Sequence, residues 1–134
     1  MTDPDFTWPV RVYWEDTDAG GVVYYANYLK FMERARSEWL RSLGIEQPVL
    51  AEQDGVVFAV RHVEVDYLKP ARFDDALNVV CELAELNKVS LTMIQRIERE
   101  GATLVTARVK IACVSRDGFR PAKIPAHIQQ RLEC

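Results

Sequence analysis

The 134-residue sequence is poor in the residues that most often advertise chemistry. It has two histidines and three cysteines, Cys81, Cys113 and Cys134, with no C-x-x-C pair. An odd cysteine count without metal-ligand spacing argues against a disulfide framework and a zinc site, and leaves buried or inert thiols as the reading. No apolar run approaches bilayer-spanning length, and the opening "MTDPDFTWPV" lacks the positive and apolar regions of a secretory leader. The expected location is the cytoplasm, with no integral membrane segment. Excess positive charge is missing too: 17 Lys and Arg stand against 20 Asp and Glu, a net charge of −3. No basic field is present to hold nucleic acid, so an anionic ligand needs a local cluster of cations. Repeats, low-complexity tracts and linkers are also lacking.

What is present is ordinary globular material, 49% hydrophobic and 28% charged. The length predicts one domain over residues 1–134, large enough to bury a core without staples. "FTWPVRVYW" mixes β-branched and aromatic residues and predicts a strand, with Pro9 at its start or on a sheet edge. "NYLKFMERARSEWLRSLG" has helical periodicity: Tyr28, Phe31, Met32, Ala35, Trp39 and Leu43 share a stripe. Asn27 suits its N-cap and Gly44 its C′ position. Strand-like runs then follow at Val56 to Leu68, at "ALNVVCELAEL", at "VSLTMIQRIER" and at "TLVTARVKIACVS". Short turns at Asn87-Lys88, Glu100-Gly101 and Arg116-Asp117-Gly118 join the last of them. The amphipathic tail "PAHIQQRLEC" closes the chain. Strand, long helix, then four long strands predicts an α+β fold, a five-stranded antiparallel sheet wrapped around one helix. One helix leaves sheet edges and apolar surface uncovered, which predicts a homodimer or larger.

One stretch is unusual. "WEDTDAGGVVYYANY" crowds Glu15, Asp16 and Asp18 into four positions, then Gly20 and Gly21, then an aromatic run into the helix. Glu15 and Asp16 read as turn or pairing residues, since Asp commonly bonds nearby backbone. "DTDAGG" lacks the ligand spacing of a calcium loop, so no metal is expected. Glu33, Arg34 and Arg36 read as an exposed helix face, His62 and His127 as structural, and Trp8, Trp14 and Trp39 as core or interface.

The segment "RVYWEDTDAGGVVYYANYLKFMERARSEWL" resembles the signature of the hotdog-fold acyl-CoA thioesterases of the 4-hydroxybenzoyl-CoA thioesterase class, above all their Tol–Pal-associated YbgC-type branch. The likeness continues through "VFAVRHVEVDYLKPARFDD", "SLTMIQRI" and "KIACVSRDGFRPAKIP", nearly the whole chain. It implies the hotdog fold, dimers that double to tetramers, and active sites at the subunit interface. It implies Asp18 as the catalytic carboxylate, nucleophile or general base, and the Tyr25 backbone N–H as the group that polarises the thioester oxygen. At position 25 the YbgC-type pattern commonly has His, so an imidazole role does not carry over. Gly20, Val22, Asn27 and Val60 are implied as substrate contacts. Lys88 and Ser90 are candidates for the nucleotide of coenzyme A, with Arg61, Lys69 and Arg72 as further cations. Coenzyme A belongs to the substrate, so no separate cofactor is expected; acidic acyl carrier protein is a second candidate partner. The Tol–Pal link adds a place at the periphery of the inner membrane. A non-hydrolytic alternative stays open: an acyl-thioester-binding or scaffold protein serving envelope phospholipid synthesis.

Overall fold

A computed structural model describes residues 6–133; the leader reading at the extreme N-terminus and Cys134 lie outside the described residues. The chain runs β1 (Phe6–Arg11), a short 3-10 turn (Trp14–Asp16), α1 (Asn27–Ser42), α2 (Gln47–Val49) continued by a π turn (Leu50–Asp54), β2 (Val56–Tyr67), β3 (Ala76–Leu86), β4 (Ser90–Arg99), β5 (Ala102–Ser115) and α3 (Ala126–Glu133). The strands form one sheet in the order β1-β3-β4-β5-β2, every neighbour antiparallel. Pro9 sits inside the edge strand β1, opposite Asn78, where a missing N–H can face away from the ladder.

Strand register explains why the sheet accepts a helix on one face. Because side chains alternate, directly paired residues share a face. Trp8, Val79, Ile97, Val105 and Tyr67 therefore form one rung across all five strands, and Phe6, Cys81, Gln95, Ala107 and Val65 form the next. Against these rungs α1 lays Tyr28, Phe31, Met32, Ala35, Trp39 and Leu40, a stripe at helical spacing. The expected stripe is thus correct but for its end: Leu40 is buried, and Leu43 is only half-buried because the helix is already ending there. At 16 residues α1 is about 24 Å long, enough to cross the sheet.

The two ends of α1 differ from each other. Gly44 takes φ +78°, its N–H bonds Arg41 O and the next N–H, Ile45, bonds Leu40 O, a complete Schellman motif. Arg131 of α3 adds a cation there, donating to Gly44 O at 2.6 Å. At the other end the expected Asn27 cap is corrected. Ala26 occupies the cap position in a helical conformation, without a side-chain cap bond. The chain enters through a turn, Asn27 N–H to Tyr24 O at 2.8 Å, so Asn27 is already helical and its amide is directed elsewhere. Among the described residues no helix is long and apolar enough to cross a membrane.

Gly44→Ala tests the C-terminal lock. A Cβ there would sit 2.5 Å from the Arg131 guanidinium on a left-handed residue, so we expect a loss of about 2 kcal/mol by denaturant unfolding. Arg131→Ala should cost less, about 0.5–1 kcal/mol, since only the cation at the helix end is removed. Equal losses would contradict backbone strain as the larger effect.

Candidate active site

The acidic turn is a miniature hairpin. Thr17 bridges Val23, Asp18 N–H bonds Val22 O at 2.9 Å, and Gly21 N–H bonds Asp18 O at 3.0 Å. Gly21 has φ +79°, as the tight turn requires. Gly20 does not share that left-handed geometry. Its reason is proximity: its N–H donates to Asp18 Oδ1 at 2.8 Å, and a Cβ would stand 3.3 Å from that oxygen. One oxygen of Asp18 is anchored this way; the other has no partner among the described residues, and the residue is exposed.

Asp16 joins this hairpin to the helix. Its carbonyl accepts from Tyr24 N–H at 2.9 Å and from the Asn27 side-chain amide at 2.9 Å, while its carboxylate accepts from Tyr13 N–H at 2.8 Å. The turn role expected for Asp16 is what its bonds show. Asn27 ties the helix start to the turn instead of capping itself. Tyr25 stands one residue outside the cap, and its amide has no acceptor among the described residues, as at any helix start. The Tyr25 ring is 60% exposed. It lies 4.9 Å from the Tyr24 ring and edge-on to Tyr67 of β2 at 6.1 Å. The Tyr67 ring in turn meets Tyr28 at 5.6 Å, and the Tyr28 hydroxyl accepts from Ala71 N–H at 2.9 Å. Burial raises the Tyr28 phenol, keeping it neutral.

A second loop closes against the hairpin. Val22 bridges Arg72, and Val23 N–H bonds Ala71 O at 2.8 Å. This loop is folded by Asp75, which accepts from Arg72 N–H at 2.8 Å and from Arg99 Nη1 at 2.7 Å. Desolvation works to raise the Asp75 carboxyl, but the Arg72 amide and the Arg99 guanidinium outweigh it and leave it below the ordinary value. Sequence reasoning did not single out Asp75 or Tyr67, although "DYLKPARFDD" contains both. It also left Trp14 as core or interface: Trp14 is 69% exposed and stacked on Phe73 at 3.6 Å.

Of the expected site residues, Asp18, Gly20, Val22, Tyr25, Asn27 and Arg72 therefore meet at one end of the sheet. Lys69 lies near them, on the backbone that leaves β2, its N–H bonded to Leu104 O. Val60 and Arg61 sit at the middle of β2, where the register shifts between Val60 and His62 and leaves Arg61 in a bulge. Lys88 and Ser90 lie at the opposite end, since β3 carries the chain 11 residues, about 35 Å, away from Asp75. Ser90 is buried and its hydroxyl lies 3.4 Å from the Asn87 amide, so it faces the protein instead of solvent. His62 and His127 are surface residues paired to Glu64 and Asp54. Arg36 corrects the expected exposed face: Glu33 and Arg34 are exposed, but Arg36 is half-buried and donates to Gln95.

Comparison with known proteins agrees with this architecture. Residues 12–132 match the thioesterase-like superfamily. The chain belongs to that superfamily. The acyl-CoA thioesterase YbgC of Haemophilus influenzae is 43% identical over 129 residues, covering 96% of this chain and 95% of that protein. The acyl-CoA thioester hydrolase YbgC of Escherichia coli is 45% identical over 124 residues, 92% of each. Among solved structures, one described as a probable thioesterase from Bartonella henselae superposes with a TM-score of 0.85 at 38% identity, over 89% of this chain and 98% of that one. The thioesterase-like chain is thus a hotdog, its sheet wrapped on α1 as the strand order predicted.

The Asp75 clasp gives a pH test of the loop that backs the hairpin. A carboxyl held below its ordinary value stabilises the fold above about pH 4, and that stability is lost as pH falls through the depressed value. Asp75→Asn should cost about 1–2 kcal/mol at pH 7, and the gap from wild type should close as pH falls through the depressed value. A gap that persists unchanged at low pH would assign the loss to shape, not charge.

Proposed function

We propose that this thioesterase-like protein hydrolyses acyl-CoA thioesters, with Asp18 acting at the thioester carbonyl. The observation that carries this reading is the pinned acidic turn. A carboxyl group with one oxygen held by Gly20 N–H and the other open among the described residues stands on a hairpin that Asp16 fastens to a helix start. The open oxygen either attacks the carbonyl carbon or takes a proton from the water that does. The Tyr25 N–H, unclaimed among the described residues, is suited to the oxygen as it gains negative charge, and the helix dipole favours the same charge. The C–S bond then breaks; the thiol leaves with a proton, and water supplies the oxygen of the released acid.

Assembly follows from β2. Its helix-side residues Val60, Val63 and Tyr67 remain exposed on an edge strand of 12 residues, a surface that favours pairing with a second copy. A two-fold axis through β2 reverses the sheet, so the partner's Lys88 end comes beside this chain's Asp18 end. Arg61, Lys69 and Arg72 of one copy with Lys88 of the other then supply the cations that coenzyme A phosphates need. The same cations suit acidic acyl carrier protein. Doubling to a tetramer, a cytoplasmic or inner-membrane-peripheral place, and a part in envelope lipid metabolism with the Tol–Pal system belong to this reading.

Thiol release from a panel of acyl-CoAs tests it. Asp18→Asn should lower kcat by about 10²–10⁴ with the melting temperature unchanged, whereas Asp16→Asn should act mainly through stability. Tyr25→Phe should keep most activity, since the amide does the work; a loss beyond 100-fold would refute the backbone account. Sedimentation at micromolar protein should show a dimer or tetramer, and an active monomer would remove the shared site. A wild type that binds acyl-CoA without releasing thiol would instead support the non-hydrolytic, scaffold reading.

A further inference from the structure

Between α1 and β2 lies a cavity of about 120 Å³ with walls of two kinds. Phe58, Val60, Met93 and Ile111 make it apolar on the sheet side, while α1 contributes Glu33 and Arg36. Arg36 Nη1 donates to Gln95 Oε1 at 2.9 Å. Gln95 is fully buried, and its Nε2 bonds Met32 O at 3.0 Å and Cys81 Sγ at 3.1 Å, so its oxygen is fixed toward the guanidinium. A guanidinium carries five N–H donors, and among the described residues no carboxylate lies within ion-pair distance of this one. Glu33 is near enough to favour the Arg36 charge, but its carboxylate takes the Ser37 hydroxyl at 2.6 Å. Burial works the other way and holds the guanidinium below its ordinary value. The cavity thus contains a desolvated cation with spare donors.

A row of apolar side chains on β2 runs from this cavity toward the acidic turn. Val60, Val63, Val65 and Tyr67 lie opposite Ile111, Val109, Ala107 and Val105, so all four face the helix side of the sheet. Tyr67 at the far end packs on Tyr25. Along α1, Asn27 and Arg36 are nine residues apart, about 13 Å.

We propose that this row holds the acyl chain of the thioester and that Arg36 binds an oxygen at the chain's far end, with Gln95 as the residue that positions Arg36. The inference rests on the thioesterase reading and extends it to a substrate class: medium-length acyl groups with a terminal hydroxyl. A hydroxyl oxygen accepts from Arg36 while its proton faces the Glu33 side; a terminal carboxylate would meet the Glu33 charge. A terminal methyl leaves the guanidinium donors desolvated with nothing to bond.

Isosteric substrate pairs decide the matter. Wild-type kcat/KM is compared for ω-hydroxyacyl-CoAs and for acyl-CoAs with methyl in place of the hydroxyl, from butyryl to dodecanoyl length. The hydroxyl member should win by about tenfold at the one length that reaches Arg36, and the ratio should fall to within about twofold in Arg36→Met and in Gln95→Leu. Arg36→Lys should restore part of it. The ratio is read within a single protein, so loss of stability in a variant does not mimic the effect. No hydroxyl preference at any length in wild type, or a preference that survives Arg36→Met, overturns the proposal. If wild type hydrolyses no acyl-CoA, the thioesterase reading fails. The hydroxyl preference is then read by calorimetric titration with thioether analogues of the same pairs, and equal affinities overturn it.

Discussion

The main-chain carbonyl of Asp16 is the point on which the site's geometry depends. It receives two hydrogen bonds, from the Tyr24 amide and from the Asn27 side chain, so the acidic turn and the helix start share one acceptor. The Asp16 carboxylate, bonded back to the Tyr13 amide, fixes that carbonyl to the end of β1. A flexible Gly-rich turn would otherwise let Asp18 wander by several ångströms. Positioned groups lose their advantage at displacements near 1 Å. The tie at Asp16 therefore turns an exposed loop carboxylate into one with a fixed relation to α1.

The other half of the geometry comes from rungs of paired residues under the helix. Four of the rung formed by Phe6, Cys81, Gln95, Ala107 and Val65 are small or apolar, and Gln95 is the polar exception within it. A fully buried amide costs stability unless every group is bonded, and Gln95 meets that condition through Met32 O, Cys81 Sγ and Arg36. The two of these bonds that reach α1, at Met32 O and Arg36, fix its rotation over the sheet, Arg36 standing about 1.4 turns beyond Phe31. The site and the cavity are thus two stations on one helix, the first pinned by a polar contact to the acidic turn and the second to β4.

The elements were legible in the sequence because period-2 and period-3.6 patterns are local. β3 spans the residues of "ALNVVCELAEL", and Gly44 ends α1 as its position implies. What escaped was long-range pairing of polar groups. Asn27 looks like a cap because nothing in its neighbourhood reveals that Asp16, 11 residues earlier, competes for its amide. Arg36 looks like solvent-facing charge because its partner, Gln95, lies 59 residues away on β4. Gly20 and Gly21 look alike, yet one relieves backbone strain and the other makes room for a carboxylate. At the site, Asp18 stood out through the long motif around it, whereas Tyr67 and Asp75 act only once β2 and the loop after it have folded back.

Charge placement gives the reason for expecting two copies. The end of the sheet that holds Asp18 also holds Glu15, Asp16, Asp74 and Asp75; two of its cations, Arg11 and Arg99, are engaged with Asp74 and Asp75, and Arg72 and Lys69 lie there too. A substrate carrying several phosphates is repelled from such a surface at short range. Exposed cations cluster at the opposite end instead, where Lys88 O accepts from Ile124 N–H next to Lys123, and Arg120 lies in the same loop. One chain therefore keeps Arg72 and Lys69 near the carboxylate but holds Lys88 and its neighbours about the length of β3, roughly 35 Å, away. In the proposed dimer, an antiparallel partner across β2 would bring the Lys88 end of one copy to the carboxylate of the other. The exposed edge of β2 is where the partner's cations would join Arg72 and Lys69 beside the carboxylate, the charge an anionic thioester calls for.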